Sequence, residues 1–287
     1  MIKSLKVYQK PDKSDAFTMV LTNPINVDSM SGFAIDNIEG IGPVNADINT
    51  TEMVTDGNQF NSARTGERNI VITLEFYSES GTGVETVRQK SYKLFPTKKE
   101  VYLEIETDNR ILWTKGRVES NEPDIFSENE KTQISIICPD PKMYALLNQV
   151  TSLSAGENEV TYPGELEVGT ILVFTIGSDI SKPVSDGVPA FTISCARPDG
   201  TAKSIDIYTP PTGFTAGDTI TINSITGEKE VFWTDHTTEE DINAFNLISK
   251  DPDWITLIEG VNNILITDSE SALSSVTMTN SICFEGV

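Results

Sequence analysis

The chain has 287 residues, of which 38% are apolar, and carries a formal net charge of −22. That length points to two domains, and that apolar share is enough to build cores, which argues against wholesale disorder. The acidity argues against stable binding to nucleic acid or to anionic membrane surfaces, since both are polyanions. It is also uneven: residues 1–147 hold 16 basic and 22 acidic side chains, net −6, whereas residues 148–287 hold 5 and 21, net −16.

The opening residues Met1-Ile2-Lys3-Ser4-Leu5-Lys6-Val7 alternate in polarity and run into Pro11-Asp12. They read as a strand and a turn, not as a secretory signal. No apolar run approaches the ~18 residues that span a bilayer. The segment Asn49–Arg68 reads as a long polar loop between strands, and loops of that length usually have a function. Ile70, Ile72, Leu74 and Phe76 then share one strand face. From Gly83 to Phe95 the period changes: Val84, Val87, Ser91, Leu94 and Phe95 fall at helical spacing, Thr82 and Glu85 form a capping box, and Pro96 ends the helix. Val101, Leu103 and Ile105 face one way on the next strand, with Tyr102, Glu104 and Glu106 opposite. Ile134, Ile136 and Cys138 repeat the pattern.

Pro139-Asp140-Pro141 follows, and the composition shifts to acidic and Ser/Thr-rich across residues 145–152. We therefore divide the chain into 1–147 and 148–287. In the second part Ile171–Ile176, Phe191–Cys195, Ile205–Tyr208, Thr219–Ile222 and Val276–Met278 are short strand candidates, punctuated by Pro163-Gly164, Pro198-Asp199-Gly200 and Thr226-Gly227. Thr237–Ser249 reads as a second helix, capped by Thr237 and Glu240, with Ile242, Phe245 and Ile248 as its stripe. Trp254-Ile255-Thr256-Leu257 reads as a strand. The fold class is mainly β, built from antiparallel sheets.

Residues that would carry catalysis are missing. His236 is the only histidine, and its place before a helix cap suits a solvated or capping role. There is no C-x-x-C, H-E-x-x-H or P-loop motif, and Asp251-Pro252-Asp253 lacks EF-hand spacing. With 43 acidic residues, paired carboxylates arise by chance. Cys138, Cys195 and Cys283 are far apart and odd in number, so they read as buried small hydrophobes and not as a disulfide framework. We assign no catalytic, cofactor or metal residues. The Asn49–Arg68 segment is either a surface loop or an arm leaning on a neighbouring subunit, with Phe60 as apolar anchor and Arg64, Glu67 and Arg68 as charge clamps.

Several stretches occur together in order: Phe60-Asn61-Ser62-Ala63-Arg64-Thr65-Gly66-Glu67-Arg68-Asn69, Arg88-Gln89-Lys90-Ser91-Tyr92 with Phe95-Pro96, Glu119-Ser120-Asn121-Glu122-Pro123-Asp124-Ile125-Phe126, and Cys138-Pro139-Asp140-Pro141. With these, the chain over residues 37–144 resembles the N-terminal domain of siphophage distal tail (Dit) proteins. Residues 150–287 resemble that family's second domain more loosely, through Pro252–Leu257 and Gly260-Val261-Asn262-Asn263-Ile264. The resemblance implies a tail-tube-like β domain with one flanking helix, followed by a galectin-like β-sandwich. It implies a homo-hexameric ring in the virion, at the tail tip, assembled in the host cytoplasm. The ring would join the tail tube protein to tail-tip or tail-associated lysin proteins and to receptor-binding proteins, with DNA passing only transiently through its channel and no membrane partner. Trp233 and Trp254 would either stack on a sugar or pack in a core. Other classes stay open: a stand-alone carbohydrate-binding module, a glycan hydrolase fused to a β-module, or a tube or baseplate-hub component of a contractile particle.

Overall fold

The computed structural model describes residues 2–20, 32–77, 83–127, 130–180 and 187–287. It divides into two compact units, Met1–Leu146 with Phe284–Val287, and Leu147–Cys283. The last four residues thus group with the first unit, although the sequence division places them with residues 148–287.

The first unit contains β1 (Ile2–Tyr8), β2 (Phe17–Val20), β3 (Phe33–Glu39), β4 (Ala46–Glu52), β5 (Asn58–Thr65), β6 (Arg68–Phe76), α1 (Val84–Leu94), β7 (Glu100–Thr107), β8 (Ile111–Asp124), β9 (Lys131–Cys138) and β10 (Met143–Ala145). Its main sheet runs β2-β1-β7-β8-β9-β6-β3, with β10 beside the start of β8. The ladders are antiparallel, as sequential period-two strands with short connections favour. The expected alternation holds: Ile70, Ile72 and Leu74 of β6, Val101, Leu103 and Ile105 of β7, and Ile134, Ile136 and Cys138 of β9 are all buried in one core.

Helix α1 lays Val87 and Ser91 on that core, and Phe95 is buried just past its end. Phe95 leaves the helical region (φ −122°, ψ 67°) before Pro96. The expected capping residue Thr82 lies outside the described residues, and the N-cap position belongs to Gly83, which has no side chain to cap with.

The second unit contains β11 (Gln149–Leu153), β12 (Gly156–Tyr162), β13 (Val168–Gly169), β14 (Ile171–Ile176), β15 (Phe191–Ala196), β16 (Ala202–Ile207), β17 (Thr219–Asn223), β18 (Glu230–Thr234), β19 (Asp241–Asn243), β20 (Thr256–Leu257), β21 (Gly260–Asp268) and β22 (Leu273–Asn280). One sheet runs β11-β22-β14-β17-β18-β19 and another β12-β21-β15-β16. Each hides one face. Leu172, Phe174, Ile220, Ile222, Val276 and Met278 are buried from the first, and Phe191, Ile193, Cys195, Ile205, Ile264 and Ile266 from the second. Two sheets with one apolar face each form a β-sandwich.

The second helix read from the sequence is not formed. Asp241–Asn243 is strand β19, and only Phe245–Leu247 winds, as a single 3₁₀ turn. Local side chains explain this. Asp235 Oδ1 accepts from the backbone N–H of Thr237 (2.7 Å) and Thr238 (3.2 Å), and Asn243 Oδ1 accepts from that of Phe245 (3.2 Å). Such turns satisfy the N–H groups that a helix would need. Asp241, Ile242 and Asn243 then pair with Thr234, Trp233 and Phe232.

Candidate subunit-contact surface

The segment read as a loop is a β-hairpin. Among the described residues, strands β4 and β5 pair only with each other, from Ala46↔Thr65 to Glu52↔Asn58, with a bulge that sets Asn61 out of register. Gly57 supplies the φ of +100° that closes the tip. All seven residues of β4 and all eight of β5 are exposed, so the ribbon rests on no core within the described residues.

The register sorts its side chains into two faces. One carries the pairs Ala46/Thr65, Ile48/Ala63 and Thr50/Phe60, with Ile48 65% and Phe60 62% exposed. The other carries Asp47/Arg64, Asn49/Ser62 and Thr51/Gln59, joined by the Arg64 Nε–Asp47 Oδ2 ion pair at 3.4 Å and by Asn61 Nδ2 donating to Thr51 Oγ1 at 2.7 Å. Met53 and Val54 add exposed apolar surface at the tip. A lone two-stranded ribbon is marginal in water, and this one turns an apolar face to solvent.

Of the four sequence candidates, Phe60 and Arg64 lie on this ribbon, on opposite faces. Glu67 is exposed at its base. Arg68 is a correction: it is 1% exposed and serves its own subunit. Its Nε donates to Pro141 O (2.8 Å), Nη1 to Gly40 O and Gly42 O (both 2.6 Å), and Nη2 to Glu285 O (2.5 Å). One guanidinium thereby ties three backbone segments of the first unit, at Gly40–Gly42, Pro141 and Glu285. Burial pulls its pKa below the usual guanidinium value, though Arg stays charged. Two glycines make room: a Cβ on Gly40 (φ +78°) would lie 1.8 Å from Asn69 O, and one on Gly286 would lie 2.7 Å from Ile41 O. The signal for Arg68 is its parity, because it shares the face of Ile70, Ile72 and Leu74 on β6.

The remaining candidates belong to the second unit. Trp233 donates from Nε1 to Asp218 Oδ2 (3.0 Å) and meets buried Phe214 edge-on, while Trp254 meets Phe245 edge-on with Lys229 Nζ 5.1 Å from its ring centre. Both indoles are half-buried and engaged.

Sequence reasoning missed one cluster. Asp218, Asp235 and His236 bring potential metal-ligand atoms within 4.8 Å of one another. Both carboxylate oxygens of Asp218 and Oδ1 of Asp235 are already engaged as acceptors. Asp218 takes the backbone N–H of Thr215 and His236 as well as the Trp233 indole, and Asp235 takes two N–H groups of its own turn. The three cysteines are buried and joined by no disulfide, and burial pushes the Cys138 and Cys195 thiols up to about 11, which makes them poor nucleophiles at neutral pH.

No family model matches the sequence, and no curated protein does. Among solved structures, the SPP1 Dit (gp 19.1) protein, described in its structure as a paradigm of the hub adsorption apparatus in phages infecting Gram-positive hosts, superposes with a TM-score of 0.65 at 13% identity, over 89% of this chain and 95% of that one. Two structures of the phage p2 baseplate in its activated conformation, with Ca and with Sr, cover 98% and 97% of this chain at 10% and 11% identity, with TM-scores of 0.44 and 0.43. The chain therefore has the fold of a phage Dit protein, across both of its units.

Proposed function

We propose that this chain is a structural, non-catalytic component of a long-tailed phage. Six copies form a ring at the distal end of the tail that joins the tail tube to tip and receptor-binding proteins and leaves a channel for DNA. The observation that carries this reading is the likeness to SPP1 Dit over 89% of the chain, which is too extensive to reflect one shared β-module. The first unit supplies the ring, and the β4–β5 ribbon is its arm onto the next subunit, where the Ile48/Phe60 face becomes buried. Arg64 and Glu67 supply polar contacts at the margin of that interface.

The second unit lies outside the ring. The net charge of −16 on residues 148–287 would repel itself if six copies crowded an axis. Acidic walls would likewise let DNA pass without holding it. Buried thiols of raised pKa and a lone histidine tied to Asp218 support the absence of catalysis.

Mass photometry of the purified protein, alone and with tail extracts, tests the ring. Six-mers are expected in at least one condition, and a monomer within assembled particles would sink the reading. A Leu147–Cys283 fragment should be soluble, monomeric, cooperatively folded and inert towards cell-wall glycans.

A further inference from the structure

The four-stranded sheet of the second unit ends at β12, and its outer edge is unpaired among the described residues. Hydrogen bonds fix which backbone groups face that edge. Ser269 N donates to Ala190 O at 3.1 Å, in line with the β15–β21 register. Antiparallel bonds alternate every second residue. On β21, residues 263, 265 and 267 therefore bond to β15, and 262, 264 and 266 bond to β12. Through the register Asn262↔Val160 and Ile264↔Asn158, residues 158 and 160 of β12 are used. The backbone groups of Glu157, Glu159 and Thr161 then point to the open edge. Thr161 O confirms the phase, since it accepts from the side chain of Gln149 (3.0 Å).

This edge has unusual chemistry. Sheet edges are commonly guarded by charged side chains, above all lysine, by proline or by a bulge. Here the seven-residue strand has no lysine, proline or bulge, its register with β21 is unbroken, and its only charges are the acidic Glu157 and Glu159. The side chains of Glu157 and Glu159 are exposed, and beside them on the same face lie Leu265, 43% exposed, and Val261, 45% exposed, paired with Glu157 and Thr161. A second copy adding its own β12 would set like charges against each other, which is destabilising. A strand with lysine or arginine at alternate positions would place cations beside both glutamates.

We propose that the edge of β12 is a strand-addition site for an extended, basic segment of a partner protein. Main-chain bonds to Glu157, to Glu159 and to the N–H of Thr161, whose carbonyl already accepts from Gln149, supply the affinity, and the two carboxylates select alternating cationic side chains.

The test uses the full chain and an eight-residue peptide alternating lysine and valine, with a proline-interrupted peptide of equal charge as control. Fluorescence anisotropy should show saturable binding that weakens with salt, and hydrogen exchange should slow at residues 157, 159 and 161. Glu159→Pro removes one outward N–H while sparing the β21 ladder, and should weaken binding about tenfold or more. The Glu157→Lys/Glu159→Lys pair keeps the backbone and should exchange preference to a glutamate–valine peptide. This pair decides the matter if the proline variant fails to fold. Equal binding of the interrupted peptide, unchanged binding by the variants, or protection elsewhere on the unit would overturn the proposal. No assembled ring is needed for these measurements.

Discussion

Arg64 and Arg68 stand four residues apart and do opposite things. Arg64 sits on a ribbon with no core beneath it among the described residues, has a side chain 83% exposed, and faces Asp47 across a strand pair. Arg68 opens β6, is 1% exposed, and holds four carbonyl oxygens from three segments. An exposed ion pair like that of Arg64 contributes about 0–1 kcal/mol, because water and salt screen it. A buried cation satisfied by backbone oxygens is worth more, because its removal leaves those oxygens without donors. The ribbon and its root thus separate two jobs. The root holds the first unit together, and the ribbon leaves exposed the apolar face that the proposed ring would bury.

The largest expected effect lies at the root. Arg68→Ala should destabilise the first unit by roughly 4 kcal/mol or prevent its folding, since several buried carbonyls each lose a donor at about 1–3 kcal/mol. Arg68→Lys should recover little, because an ammonium cannot reproduce the fork. Urea unfolding measures both, and a loss below about 1 kcal/mol for Arg68→Ala would put the residue back among the surface arginines. Next comes Gly40→Ala, which meets both a left-handed backbone and Asn69 O; we expect roughly 2–4 kcal/mol by the same method.

A smaller effect concerns acid. The Glu104 carboxyl is buried, which by itself raises its pKa, but hydrogen bonds from Lys13 (2.8 Å) and Lys6 (2.5 Å) outweigh burial and hold it below the usual glutamate value. A depressed folded-state pKa contributes stability that is present above the unfolded value and lost as pH falls through the folded one. Stability should therefore drop below pH ~4.3, and Glu104→Gln should cost on the order of 1–2 kcal/mol at neutral pH while flattening that part of the acid limb. A profile unchanged by the substitution would remove this triad from the account. The smallest expected effect on folding is on the ribbon: Arg64→Ala, Phe60→Ala and Ile48→Ser should each stay within about 0.5 kcal/mol of the parent protein.

Much of this was legible in the residues. The core faces of β6, β7 and β9 and the stripe of α1 follow from periods of two and 3.6, because packing on one side of an element imposes them. The ribbon was harder. Its strands are polar on one face and a bulge breaks the alternation between Phe60 and Ala63, so Ile48, Ala63 and Phe60 do not form a strong alternating run. Asp56-Gly57 was the available hairpin signal. The Ile242–Phe245–Ile248 spacing misled for a different reason: steps of three fit a 3₁₀ turn as well as an α-helix, and Asp235 and Asn243 divert the N–H groups that would decide between them. Arg68 was readable from parity with Ile70 alone, but an arginine in a polar neighbourhood reads as surface until its acceptors are seen. Those acceptors come from Gly40, Gly42, Pro141 and Glu285, which no local window contains.

The most direct measurement is negative-stain microscopy of the parent protein beside an Ile48→Ser/Phe60→Ser double variant, both under conditions where their thermal unfolding coincides. The account predicts six-fold rings with an open centre for the parent and dispersed subunits for the variant. Rings formed equally well by the variant, or assemblies of another symmetry from the parent, would contradict it.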